Sequence, residues 1–382
     1  MSRPQIPALD KLLAAATSIS NPYLEAAKKA GRKIVGTIHD EVPEEIITAA
    51  GAIPVMLRGT GSQGTELAEV YFRQLTCGYT RHTFNQILDG QWDFLDGAVI
   101  FNICDHMRRV HDNWVRMPNT PVYHFIYAPK KQGELARQFY RAEIEKFIAA
   151  TEKRFGVKIT TESLDKAIAL HNEKRRLQRQ LYALQKAECV PLLGSELLMV
   201  MLAGKSMPLE DYNGLLTELL EALQATPAVY KPIARILYSG GHADSLAFFR
   251  TLETRGAQIV IDATGFGYYS CEQLIRTDCD PLQAIVNYYF EEIPASPRKF
   301  GTAPERRARM SRLIDEYSVD GVIMSRVTFC DLWAFEQYMS REFLQQKGVP
   351  LLELEIDYVP ESLAQVTTRV QAFLESIQAK KE

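Results

Sequence analysis

A chain of 382 residues, 46% hydrophobic and 24% charged, is long enough for two or three domains and has the composition of a folded globular protein. Its net charge of −3 argues against the basic surface that nucleic acid or an anionic membrane would select. The opening MSRPQIPALDKLLAAATSIS lacks a continuous apolar core, and the most apolar stretch, PLLGSELLMVMLAG, is short and carries Glu196; the expectation is a cytoplasmic protein with no secretory signal, membrane span or nucleic-acid partner.

Along the chain, residues 32–61, RKIVGTIHDEVPEEIITAAGAIPVMLRGTG, read as strand, helix, strand. An apolar run leads into a polar loop, a helical segment ends at Gly51, and a second apolar run follows. Pro43 is pre-set for a first helical turn, and Glu44 and Glu45 complement the dipole there. The segment GTGSQG, Gly59 to Gly64, matches a dinucleotide fingerprint in spacing. It sits after the second strand instead of the first, however, and no acid-ended strand follows, so it reads as a turn. Cys77 comes next, in FRQLTCGYTRHTFNQIL, ahead of a helix. Then DGAVIFNICDHMRRVHDNW gives a strand, Cys104 with Asp105, and a helix, and TPVYHFIYAP gives another strand.

Residues 131–228 are helical in pattern. SLDKAIALHNEKRRLQRQLYALQ has apolar residues at helical spacing, with Ser163 as its N-cap and the charge run EKRRLQRQ as a solvated face. Residues 234–265, ARILYSGGHADSLAFFRTLETRGAQIVIDATG, repeat the first unit, with Gly256 in the place of Gly51. DGVIMSRVTFCDLWAFEQYMSREFLQQKGV and PLLELEID then repeat the second. Gly97 to Cys104 spans 7 positions and Gly321 to Cys330 spans 9, a difference assigned to a short loop insertion. The fold class is therefore α/β. Two parallel-sheet domains of Rossmann or flavodoxin type, related as an internal repeat, occupy 1–130 and 229–382, with the helical region 131–228 between them.

Open parallel sheets bind ligands outside the carboxyl ends of their strands, and both Cys-Asp pairs fall there. Helix N-termini favour thiolate over thiol. Zinc is one reading, since His106 lies near Cys104 and His82 near Cys77 in sequence, but neither spacing belongs to a usual four-ligand set. An iron–sulfur cluster on three dispersed cysteines, with an open or non-cysteine fourth position, is the other. Cys189, Cys271 and Cys279 are the remaining thiols; Cys271, in GFGYYSCEQL, also follows a strand end.

EVPEEIITAAGAIPVMLRG, Cys77, ICDHMRRVHDNW, TFCD and LEIDY occur in the order of the 2-hydroxyacyl-CoA dehydratase and benzoyl-CoA reductase superfamily, which the chain resembles from about residue 23 to its end. The resemblance implies a 4Fe-4S cluster held by Cys77, Cys104 and Cys330. It also implies a homologous larger cluster-binding subunit, ATP-hydrolysing activator subunits, a ferredoxin as upstream donor and an acyl-CoA substrate. ICDHMRRVHDNW is most similar to the reductase branch, in its smaller cluster-binding subunit; the dehydratase branch is the alternative, and an electron carrier without a substrate site is a third. Under this resemblance Glu44, Glu45, Asp105 and His106 become candidates for a role at cluster or substrate, as do Arg108 and Arg109. Tyr268, Tyr269, Tyr288, Tyr289 and Phe290 are candidates for a flat pocket.

Overall fold

The computed structural model describes residues 4–294, 296–359 and 362–381. Two four-stranded, all-parallel sheets organise it. The first comprises β1 (Ile34–Ile38), β2 (Ile53–Met56), β3 (Gly97–Phe101) and β4 (Val122–Ile126), in the order β2-β1-β3-β4. The second comprises β5 (Ala234–Gly240), β6 (Ala257–Ala263), β7 (Gly321–Val327) and β8 (Leu351–Ile356), in the order β6-β5-β7-β8. The two orders are the same, and both are flavodoxin-like. The central strands are buried on both faces, as parallel sheets covered by crossover helices must be.

Gly51 follows the helix Glu44–Ala49, and Gly256 ends the 3-10 turn Thr254–Gly256 that follows the helix Leu246–Leu252; their φ of +79° and +82° are left-handed conformations that glycine adopts without penalty. The two residues by which the halves differ are in the strand, not in a loop. β3 has 5 residues and β7 has 7, and in both halves two residues separate the strand end from the cysteine. A longer strand keeps the cysteine at the sheet edge, which a longer loop would not.

Four helices join the halves: Glu134–Phe155, Thr161–Leu184, Gly194–Ala203 and Leu209–Ala225. The second starts earlier than its sequence suggests. Thr160 is its N-cap, and Ser163 reciprocates from the third helical position, donating back to the Thr160 carbonyl and accepting from its N–H, a capping box. The charge run on this helix is only half solvated. Glu173 and Arg176 are exposed, whereas Lys174 and Arg175 are buried.

Each half also reaches into the other's core. The helix Pro7–Ala16 packs Leu9, Leu12 and Ala15 in the apolar cluster of the second sheet. Residues Ala284, Ile285, Tyr288 and Phe290, which follow β6 in sequence, pack in that of the first. This exchange holds the carboxyl edges of the two sheets around one cavity. Among the described residues, no helix is long and apolar enough to cross a membrane.

Candidate functional site

The cavity, about 150 Å³ in volume, has room for far more than one water molecule. It is built from strand ends. His39, Asp40 and Glu41 follow β1, Cys104 follows β3, Gly241 and His242 follow β5, Phe266 and Tyr269 follow β6, and Cys330 and Trp333 follow β7. In each sheet the order of connection reverses between the first and third strands, and this switch point is where such folds bind ligands.

Three cysteines line this cavity: Cys77, Cys104 and Cys330. Each is the N-cap of a helix, Gly78–Leu88, Asp105–Trp114 and Asp331–Gln346 respectively. Their thiols are not acidified, contrary to the expectation from helix N-termini. Burial pushes Cys104 up to about 12, reinforced by nearby Cys77, although the N–H groups of His106 and Met107 pull the other way. Burial raises Cys330 to about 12 and raises Cys77 as well. Desolvation of a charge outweighs the dipole of one helix end. The thiol protons therefore stay on until a cation replaces them. Phe329, just before Cys330, has φ of +67°, a left-handed conformation rare for a bulky residue.

The other three thiols lie elsewhere. Cys271 is fully buried in the second core and donates to the Tyr268 carbonyl, Cys189 is half-buried in the helical region, and Cys279 is exposed. Among the described residues, no cysteine belongs to a group of three or more side chains that could hold one metal ion. His82 bonds Ser62, and His106 Nδ1 accepts the Cys77 backbone N–H at 3.4 Å. The GTGSQG segment is a turn, with the Gly59 N–H donating to the Tyr358 hydroxyl.

Glu44 and Glu45 are both buried, and they diverge. Glu44 lines the cavity between Lys205 at 3.0 Å and Lys174 at 3.6 Å. Burial opposes its charge, but the two lysines overcome it and lower its pKa. Glu45 lies behind the wall, held by Arg175 at 2.6 Å and the Tyr289 hydroxyl at 2.8 Å; Arg175 first, then His171, keeps it ionised against burial. The Arg175 guanidinium also stacks 4.6 Å over the Tyr288 ring. Two lysines against one glutamate leave a surplus positive charge at this end. Lys174 feels it: burial first, then Lys205, lowers it to about 8.

Asp105, Arg108 and Arg109 are exposed on the helix after Cys104, and His106 is half-buried beside Cys77; none of the four lines the cavity. Of the five aromatic residues, Tyr269, Tyr288 and Tyr289 line it, while Tyr268 and Phe290 do not. Sequence reading passed over His39, Asp40 and His242, whose donor atoms lie within 4.8 Å of one another. It also passed over Lys174, Lys205, Trp333 and the Arg306–Glu336 pair, joined at 2.6 Å. The signal for the histidines was there: each follows the first strand of its half within four residues.

A family model described as 2-hydroxyglutaryl-CoA dehydratase, D-component, matches residues 41–377. A benzoyl-CoA reductase subunit of Thauera aromatica is 25% identical over 352 residues, 91% of each chain. The (R)-phenyllactyl-CoA dehydratase beta subunit of Clostridium sporogenes is 23% identical, covering 94% of this chain and 96% of its own. The beta subunit of (R)-2-hydroxyglutaryl-CoA dehydratase from Acidaminococcus fermentans is 24% identical over 92% and 94%.

Proposed function

The chain belongs to the 2-hydroxyglutaryl-CoA dehydratase D-component family, and on that premise we propose that it is the iron–sulfur subunit of a benzoyl-CoA reductase-type complex. In this reading it passes low-potential electrons to an aromatic acyl-CoA and yields a cyclic dienoyl-CoA. The observation that carries the reading is the meeting of Cys77, Cys104 and Cys330 in one cavity with Tyr269, Tyr288, Tyr289 and Trp333.

The donor set fits a 4Fe-4S cluster better than a single ion. Thiolates on different corners of a cluster stand apart, and among the described residues these cysteines do not form a group tight enough for one metal ion. Bound there, the cluster would supply one-electron transfer at low potential. A cluster with three thiolates is anionic, and so is a reduced thioester. The surplus charge at Lys174 and Lys205 would stabilise that build-up. The aromatic side chains offer flat apolar faces to a ring. Two of the relatives carry a phenyl-bearing acyl group in their names, benzoyl and phenyllactyl, which supports an aromatic substrate. In this reading the partners are a homologous larger cluster-binding subunit, ATP-hydrolysing activator subunits and a ferredoxin donor. The relatives are themselves named as subunits of their enzymes, which supports a heteromeric assembly.

Relatives named dehydratase subunits favour a second reading, removal of water from a 2-hydroxyacyl-CoA. Counting electrons per product separates the two. The assembled complex, given an aromatic acyl-CoA, ATP and a strong one-electron donor, should retain two electrons in each product. A ratio near zero would transfer the chain to the dehydratase reading.

A further inference from the structure

We propose that His39, Asp40 and His242 form a site for one divalent transition-metal ion, distinct from the cysteine site and built jointly by the two halves. His39 Nδ1 lies 2.8 Å from Asp40 Oδ1, and His242 Nε2 lies 4.0 Å from the same oxygen. All the donor atoms fall within 4.8 Å of one another, close enough for one ion to draw them in. Two imidazoles and one carboxylate form the donor set that holds Zn²⁺, Fe²⁺ or Co²⁺ while leaving coordination positions open.

Three features show that this cluster is held in place. His39 has φ of +91°, a conformation that non-glycine residues keep only where their surroundings impose it. Position 265 is glycine, and a Cβ there would collide with the Asp40 carboxylate. The Nε2 of His242 is buried without a hydrogen-bond partner, a cost in the free protein that a metal bond would remove. The rings are further confined, since His242 packs 5.1 Å from His39 and 4.5 Å from Tyr79 between centroids.

The open positions of the ion would face the cavity, where a carbonyl or hydroxyl oxygen of a substrate can complete them. No cysteine takes part, so the site stands independently of the iron–sulfur reading.

The test is equilibrium dialysis of the anaerobically purified full chain against Co²⁺, with cobalt and iron counted separately per chain. The wild type and Cys104→Ser should each bind one Co²⁺ at this site. Asp40→Asn and His242→Gln should bind it about tenfold or more weakly, with iron content and circular dichroism unchanged from wild type. His242→Gln retains a polar side chain of similar reach, so it decides the matter even if Asp40→Asn fails to fold. The proposal is overturned by a wild type that binds no cobalt, by His242→Gln binding as wild type does, or by Cys104→Ser losing the ion.

Discussion

The two halves share one topology but only part of their chemistry. In each, a histidine follows the first strand and an N-capping cysteine follows the third: His39 and Cys104 in the first half, His242 and Cys330 in the second. The connection after the second strand breaks the repeat. In the first half it runs outward from β2 and returns with Cys77 at the head of a helix on the cavity wall. In the second it turns tightly after β6, and Cys271 ends in the apolar core, bonded to the Tyr268 carbonyl. The repeat thus places two thiols by symmetry, and one loop supplies the third. Duplication of a sheet fixes where side chains can meet; the crossover loops decide which do.

The largest expected effect tests that asymmetry. Cys104→Ser and Cys330→Ser, at equivalent places, should each abolish cluster iron, because a serine alkoxide is a poor substitute for a soft thiolate. Cys77→Ser should do the same, while Cys271→Ser and Cys189→Ser should keep full iron. Equal iron loss in Cys271→Ser would mean that the two halves are chemically symmetric after all.

A second contrast lies in the helices after the first strands. Glu44–Ala49 carries the buried Glu45, tied to Arg175; Leu246–Leu252 instead begins with a Ser245 cap that accepts from the Phe248 N–H. Removing one partner of a buried ion pair strands the other. Glu45→Ala should therefore cost about 3–5 kcal/mol in denaturant unfolding. Ser245→Ala should cost about 1 kcal/mol.

Acid should weaken the fold through two buried histidines, one on a joining helix and one in the second half. Burial lowers His171, which faces Glu45, to about 3, and His242 to about 4. Unfolded, both would titrate near 6.5. Above that pH neither state binds the proton. Below it only the unfolded state does, so stability falls as pH drops from 6.5 toward 4. The slope is up to about 1.4 kcal/mol per pH unit for each histidine. Unfolding free energies that stay flat from pH 6.5 to 4.5 would contradict these burials. His171→Gln should flatten the curve by one histidine's share.

The smallest effect compares the glycine caps. Gly51→Ala pays only for the left-handed backbone, about 1 kcal/mol, since nothing lies within 4 Å of the added Cβ. Gly256→Ala should cost more, because its Cβ would meet the Ile233 side chain at 2.6 Å. Equal losses in thermal unfolding would show that Ile233 yields freely.

These contrasts also mark what the sequence made legible. Strand, cysteine and helix announce themselves locally: an apolar run after Asp-Gly, then Cys-Asp, then helical spacing. The set Cys77, Cys104 and Cys330, which line one cavity, came from the family resemblance; their places at strand and helix ends were compatible with one cleft but left other readings open. Lys174 and Arg175 escaped, because a charge run on a helix looks solvated unless its partners are known. Those partners, Glu44 and Glu45, lie about 130 residues earlier and are joined to it only by the fold. His242 escaped for a related reason: its loop carries no regular pattern, and its neighbour Asp40 belongs to the other half.

The most direct measurement is iron and acid-labile sulfide in the full chain, purified without oxygen. The account predicts four of each per chain, lost together when Cys104 is replaced by serine. A chain that folds, retains Cys77, Cys104 and Cys330, and still cannot be loaded with iron and sulfide would contradict it.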